Sequence, residues 1–526
     1  MTDQHHTPMS SRWFLGTILV LICLALSGCP SEQLGQESSK EWIAQTDSDT
    51  ELTTDAAQEF PETEEHTPEN TPEPQPEPIR ERPPSLPFPS AYAKLTGGHV
   101  LKDENPDPNI VEVTIEAKSL THQLTPKHTF EIYAFNGMLP GPIIETKVGD
   151  ELVVHFTNQL KEPTTIHWHG QRVPEDMDGV SLVRRPVQPG KTFTYRFKVS
   201  DAGTYWYHPH VHSHEQVEKG LYGMLVVREK QPLAFTRERA LLVDDILLTE
   251  TGLAPFHPAS EQEKVKGRIG SHFLLNGKPA PATYQAKTGE RERWRIVNTA
   301  NASVFRLEIK GGAQVRVIGV DSGLLAKPFS IQYELLLSPG QRYDLEVMYE
   351  KPGTVELNTL VAEGPKYVAK NLLRVQVSGT SVPSPMAYPT YPEIATLPTR
   401  KVTREETLAF ELLPSPDPGG NHWKINGQVH PVKPLFTFKT GDVVLFTLQN
   451  MNNPNHPFHL HGQFFEIISR NGLPVTDEPG LRDTVLVSIQ ERVVIKAYLD
   501  NPGRWMFHCH NLEHAHYGMM AHIKIE

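Results

Sequence analysis

Residues 147–158 read Lys-Val-Gly-Asp-Glu-Leu-Val-Val-His-Phe-Thr-Asn, a tight Gly-Asp turn feeding a short strand that ends on an asparagine. The same frame returns as Lys287-Thr-Gly289-Glu290 with Asn298, and as Lys439-Thr-Gly441-Asp442 with Asn450. The Lys-to-Asn interval is 11 each time. An Asn-Gly pair precedes each copy: Asn136-Gly137, Asn276-Gly277 and Asn426-Gly427. Asn-Gly between apolar runs is the strongest short-range hairpin signal, and self-similarity at a fixed period marks a repeated structural unit. The chain therefore reads as three β domains of about 140–150 residues. A second landmark recurs near each unit's end, where Gly203, Gly353 and Gly503 open a strand from a small-residue turn.

Outward from these units the texture fits an all-β protein. From residue 93 onward short runs rich in Val, Ile, Phe, Tyr and Thr are punctuated by Gly, Pro and Asn-Gly. A 526-residue chain with 38% hydrophobic residues and 46 prolines is too long for one core and wrong for a helical bundle. Of the net charge of −13, residues 30–90 carry −12, with 15 acidic and 3 basic side chains, so the globular remainder is near neutral. A basic nucleic-acid surface is thereby excluded as the main business of the protein. Residues 29–92 are a Pro/Glu-rich spacer that cannot bury enough apolar surface to fold. Trp13–Gly28 is an uncharged run too short to span a bilayer and reads as an export signal. It ends in Leu26-Ser27-Gly28-Cys29, which resembles the bacterial lipoprotein cleavage box. The expected organisation is a signal at 1–28, the spacer at 29–92, domains at 93–230, 236–378 and 401–526, and a linker at 379–400. Lipidated Cys29 would tether the exported protein to a bacterial membrane, at its periplasmic or cell-surface face. Cys23 leaves with the signal, so Cys509 is the one free thiol of the mature chain. A monomer is expected.

The histidines fall on the repeat frame. Nine and eleven residues past the asparagine landmark stand His167 and His169 in the first unit, His459 and His461 in the third, but Leu307 and Ile309 in the second. Five and seven past the glycine landmark stand His208 and His210, His508 and His510, but Asn358 and Leu360. Alternate residues of a strand share one face, which sets the two imidazoles of a His-x-His pair about 7 Å apart. Four such pairs at equivalent places, facing each other across an interface of pseudo-two-fold symmetry, could ligate several metals. The third unit adds His456, Cys509, His514 and Met519, whereas the first has Thr164, Pro209, His214 and Lys219 at those offsets. Two His, one Cys and a distant Met is the blue-copper donor set. Met520 is left for core packing.

These motifs, His167-Trp-His169-Gly170, His208-Pro-His210, His456-Pro-Phe-His459-Leu-His461-Gly462 and His508-Cys509-His510-Asn-Leu-Glu-His514-Ala-His-Tyr-Gly-Met519, resemble those of the three-domain laccase-like multicopper oxidases over residues 93–526. The resemblance implies three cupredoxin-like Greek-key β-sandwiches and four copper ions. It implies type 1 copper on His456, Cys509, His514 and axial Met519, and type 2 copper on His167 and His459. The type 3 pair would fall to His169, His208, His210, His461, His508 and His510. It further implies oxidation of phenol-like reductants, or alternatively of Cu(I), Fe(II) or Mn(II), with O2 reduced to water. Electrons would pass from Cys509 to its neighbours His508 and His510. Asp178, in the loop after His169, matches the acid that family members use near the cluster as a proton source. Bacterial members often carry a second acid after the last type 1 histidine. Here that position is Ala515, leaving Glu513, His516 or water for the role.

Overall fold

The computed structural model describes residues 92–257, 259–379, 381–383, 399–417, 420–430 and 433–526. The export signal, Cys29, nearly all of the spacer and most of the 379–400 segment lie outside them. Each unit is a pair of sheets around its own apolar core. In the first, strands His128–Phe135, Ile110–Thr125, Glu151–Asn158 and Thr192–Lys198 form one sheet. Ile144–Lys147, Gly223–Arg228, Gly203–His208 and His167–His169 form the other. The third unit pairs a six-stranded with a five-stranded sheet, and the second a five-stranded sheet with an eight-stranded one that includes Leu95–Thr96 from the first unit. In every unit the repeat strand runs parallel to one neighbour and antiparallel to the next: Glu151–Asn158, Arg291–Asn298 and Asp442–Asn450 occupy the same slot.

The repeated residues recur because each does one local job three times. Asn136, Asn276 and Asn426 take positive φ of 50–52°, and Gly137, Gly277 and Gly427 follow at 68–74°, the two left-handed residues of a type I′ turn. Asp150, Glu290 and Asp442 accept the backbone N–H of Lys147, Lys287 and Lys439 through their carboxylates, closing the next turn. Asn158, Asn298 and Asn450 are fully buried. Each donates its amide to two loop carbonyls and accepts the N–H two residues on. These asparagines fix the loops that lead into the histidine strands of the outer units.

Three cores fill the sandwiches, around Trp168, Trp294 and Trp505. A further apolar seam joins all three units, with Trp206, Tyr222 and Met224 from the first, Leu242 and Val297 from the second, and Leu512 from the third. Buried ion pairs cross-link the strands of the second unit and its neighbours, among them Arg293 with Asp344 at 2.5 Å and Arg295 with Glu238 at 2.6 Å.

Candidate metal centres

His167 lies opposite His208 where strand His167–His169 pairs with Gly203–His208. His459 lies opposite His508 where His456–Leu460 pairs with Gly503–Cys509. His210, His461 and His510 stand just past their strand ends, so only the His167 pair is wholly in a strand. Leaving the strand lets the rings converge on one point instead of lining a flat face. The eight imidazoles form one group at the contact of the first and third units. His167 stacks on His461 at 4.0 Å and His169 on His459 at 3.8 Å. His208 meets His510 at 5.4 Å and His210 meets His508 at 5.1 Å. A pseudo-two-fold operation carries His167–His461 onto His459–His169 and His208–His510 onto His508–His210, as an isologous contact requires.

Backbone carbonyls decide which ring nitrogen is free. A carbonyl only accepts, so the nitrogen facing it carries the proton. Nδ1 of His167, His459, His208 and His508 donates to the carbonyls of Asp178, Asp483, Pro209 and Cys509 at 2.8–3.0 Å. Nε2 of each is then a lone pair. Those of His167, His208 and His459 are buried and unpartnered. Nδ1 of His461 donates to the Asp178 carboxylate at 2.8 Å, so its Nε2 is a lone pair as well, and it faces the Nε2 of His508 at 2.9 Å. Two lone pairs at that separation repel unless a cation lies against them. Burial and mutual repulsion hold His169, His208, His210, His461 and His510 well below the ordinary imidazole pKa and bring His508 to about 3. These six rings are therefore neutral, the form that binds metal, and the donors fit copper ions.

Asp178 and Asp483 each contact two of the eight rings. The Asp178 carboxylate is fully buried and lies 2.8 Å from Nδ1 of His461 and 3.2 Å from Nδ1 of His167. It thus sits behind the His461 and His167 rings, on the side away from their free nitrogens. Asp483 Oδ1 lies 3.2 Å from Nε2 of His169 and 3.5 Å from Nδ1 of His459. Arg342 of the second unit clamps Asp483 with two bonds of 2.7 and 2.5 Å, and its guanidinium keeps that carboxyl well below the usual range. The motif reading missed both Asp483 and Arg342. Asp178 follows His169 by nine residues, but Asp483 follows His461 by 22, so no common offset exposes it.

A second group lies in the core of the third unit. Nδ1 of His456 and Nδ1 of His514 are 3.1 Å apart, and Cys509 Sγ is 3.7 and 3.6 Å from them. The N–H of Asn511 donates to the sulfur at 3.4 Å. His514 is pushed down to about 3 by burial. Its Nε2–H donates to the carbonyl of Val265 at 2.9 Å, which leaves Nδ1 free toward the sulfur. Met519 is fully buried in the same core. Its carbonyl accepts the Cys509 N–H and its N–H donates to the His514 carbonyl, bringing it beside both residues. Met520, expected in the core, is only half-buried and lines a cavity of about 70 Å³ with His208, His210, His212, His508, Ala515 and His516. Its strand starts there, so its side chain faces the opposite way from Met519. The Glu513 carboxylate accepts from the Arg268 N–H and the Asn301 amide.

A cap on this second group was not foreseen from sequence. Helix α2 (Glu261–Lys266) belongs to the second unit and starts at a capping box of Ser260 and Glu263. Its last carbonyls have no partners within the helix. Those of Lys264, Val265 and Lys266 accept from Trp423, His514 and Asn511 in turn. Trp423 in turn packs against His456 and His514 at 4.9 and 4.5 Å.

Three profiles described as multicopper oxidase match residues 116–232, 251–356 and 405–526. The chain is 32% identical over 433 residues to the multicopper oxidase MmcO of Mycobacterium tuberculosis, covering 74% of this chain and 82% of that protein. It is 26% identical over 489 residues to Laccase-1 of Cryptococcus neoformans, covering 75% and 77%. The solved multicopper oxidase of Campylobacter jejuni, described as a metallo-oxidase, superposes with a TM-score of 0.72 at 30% identity, covering 85% of this chain and 99% of that one.

Proposed function

Because the chain belongs to the multicopper oxidase family, we propose that it oxidises a small one-electron donor at the His456–Cys509–His514 group and reduces O2 to water at the eight histidines. His456, Cys509, His514 and Met519 would hold type 1 copper in this reading. His167 and His459 would hold type 2, and the other six histidines would hold the type 3 pair. When bound, copper supplies one-electron transfer at the first group and multi-electron reduction of O2 at the second. The observation that carries the reading is the pair of lone pairs on His461 and His508, 2.9 Å apart with both Nδ1 atoms committed as donors.

The chain's own contribution is to orient and connect. Backbone carbonyls and the two aspartates select the ring tautomers, as partners beyond the ligands do in metal sites. Cys509 lies on the opposite face of its strand from His508. It thereby joins the two groups through a single covalent stretch, His508-Cys509-His510. Asp178 positions His167 and His461 and is the nearest carboxyl able to pass a proton between them and the protein. We further place the protein outside the cytoplasm, tethered through Cys29, on the strength of the Trp13–Gly28 run and the cleavage box after it.

The cap favours a metal-ion donor over a phenol. His456 and His514 are fully buried, and α2 covers the Nε2 edge of His514. A flat aromatic has no ligand edge to lie against. A small cation needs only a route for its electron, and Trp423 packs on both type 1 histidines. The test is O2 uptake by the copper-loaded protein with a phenol, Cu(I) and Fe(II), in the native chain and in one whose residues 261–266 are replaced by a Gly/Ser loop. The expected result is a higher kcat/KM for a metal ion in the native chain, and a gain of about tenfold or more for the phenol in the variant. A phenol preferred by the native chain and unaffected by the loop would refute this donor.

A further inference from the structure

Helix α1 (Ser213–Gln216) follows directly on the His208-Pro209-His210 motif and packs against helix α3 (Leu512–His516). Its His214 stands where the third unit has His514, yet Thr164, Pro209 and Lys219 replace the other type 1 ligands, so it is freed from that duty. His214 is only 5% exposed, and neither ring nitrogen has a hydrogen-bond partner. A buried imidazole with both nitrogens unsatisfied is an expensive arrangement that calls for an explanation.

Its surroundings supply one. Glu215 Oε1 lies 3.7 Å from Nε2 of His214 and 2.6 Å from Nε2 of His257. His257 comes from the second unit, on the loop after strand Gly252–Leu253, and its side chain is 66% exposed. The His516 ring stacks on His214 at 3.8 Å and holds its plane. The other carboxylate oxygen of Glu215 is occupied by Lys219 at 3.3 Å, which leaves Oε1 to the two imidazoles. We propose that Nε2 of His214, Oε1 of Glu215 and Nε2 of His257 form a divalent-cation site, separate from the copper centres, that clips the first unit to the second.

Two imidazoles and one carboxylate suit Zn2+ or Cu2+, with the open side at His257 left for water. Binding replaces the His257–Glu215 contact with two metal bonds and gives the unsatisfied His214 nitrogen its partner. The clip would fix α1 and, through it, the segment that carries His208 and His210. This inference does not depend on the donor assigned above.

The probe is Zn2+ alone, added to the copper-loaded full-length protein by equilibrium dialysis, with both metals counted and the thermal midpoint recorded. The expected result is one Zn2+ per chain with copper content and blue absorbance unchanged, and a midpoint that rises with Zn2+ concentration as site-specific binding requires. His257→Ala changes an exposed side chain that is no copper ligand, so it should fold. It and Glu215→Gln should each weaken Zn2+ binding at least about tenfold and flatten the rise in midpoint. Zn2+ uptake matched by copper loss, equal uptake by wild type and His257→Ala, or no uptake by wild type would each overturn the proposal.

Discussion

Asp178 lies on the far side of the ligand rings from their free nitrogens, and its two contacts separate two roles. Its carboxylate holds Nδ1 of His461 and approaches Nδ1 of His167, while its carbonyl fixes His167 independently. Asp178→Asn keeps an oxygen that can accept from His461, so copper content should stay near native. With the ionisable group gone, stopped-flow reoxidation of the fully reduced enzyme by O2 should slow by about 10–100-fold, at the low end of positioned acid–base effects. Asp178→Ala removes the acceptor of His461 too, and metal analysis should then show lost type 3 copper, because such partners are worth about 10–100-fold in metal affinity. Copper loss in Asp178→Asn as large as in Asp178→Ala would reduce the residue to a positioning role. The ligand histidines were legible because each stands at a fixed distance from a structural landmark. Asp483 was not, because its loop is longer than that of Asp178, and Arg342 sits in the unit that has no ligand motif at all.

At the scale of elements, the three asparagines are the test of the repeat. Asn450 donates to the carbonyls of Pro454 and Ser488 and accepts the N–H of Asn452. Asn450→Ala strands these buried groups, and at about 1–3 kcal/mol for each unsatisfied group the third unit should lose about 3 kcal/mol. The loss should appear as a lower denaturation midpoint together with weakened type 1 absorbance, since this loop leads into His456. Asn298→Ala should cost similar stability and leave the absorbance alone. Strands, turns and the three-unit plan could be read because turn chemistry and alternation are written in side chains. The α2 cap could not be read, because Glu-Gln-Glu-Lys-Val-Lys has no apolar periodicity. Its contribution comes from backbone carbonyls, which every residue has.

For the whole molecule, the second unit, which carries no His-x-His pair, holds the other two in place. Arg342 reaches from it to Asp483 and to the carbonyl of Thr204, touching both outer units. Arg342→Ala leaves a buried carboxylate unpaired, and loss of about 3–5 kcal/mol is expected, with type 3 copper released first on titration with a chelator. The molecule also carries a pH signature away from copper. Burial raises the Asp245 carboxyl to about 7, so between about pH 4 and 7 the folded chain keeps a proton that the unfolded chain has released. Stability therefore falls as pH rises through that window, and Asp245→Asn should flatten this slope in thermal melts of the copper-loaded protein. Coupling between the two groups runs through Cys509, which lies beside His456 and His514 and between His508 and His510 in the chain. The deciding measurement is the copper content, visible spectrum and O2 uptake of Cys509→Ser. The expected result is loss of the blue band and of donor oxidation, with one copper fewer per chain and an unchanged β-sheet circular dichroism. A variant that stays blue, or still couples donor oxidation to O2 uptake, would contradict this role of Cys509.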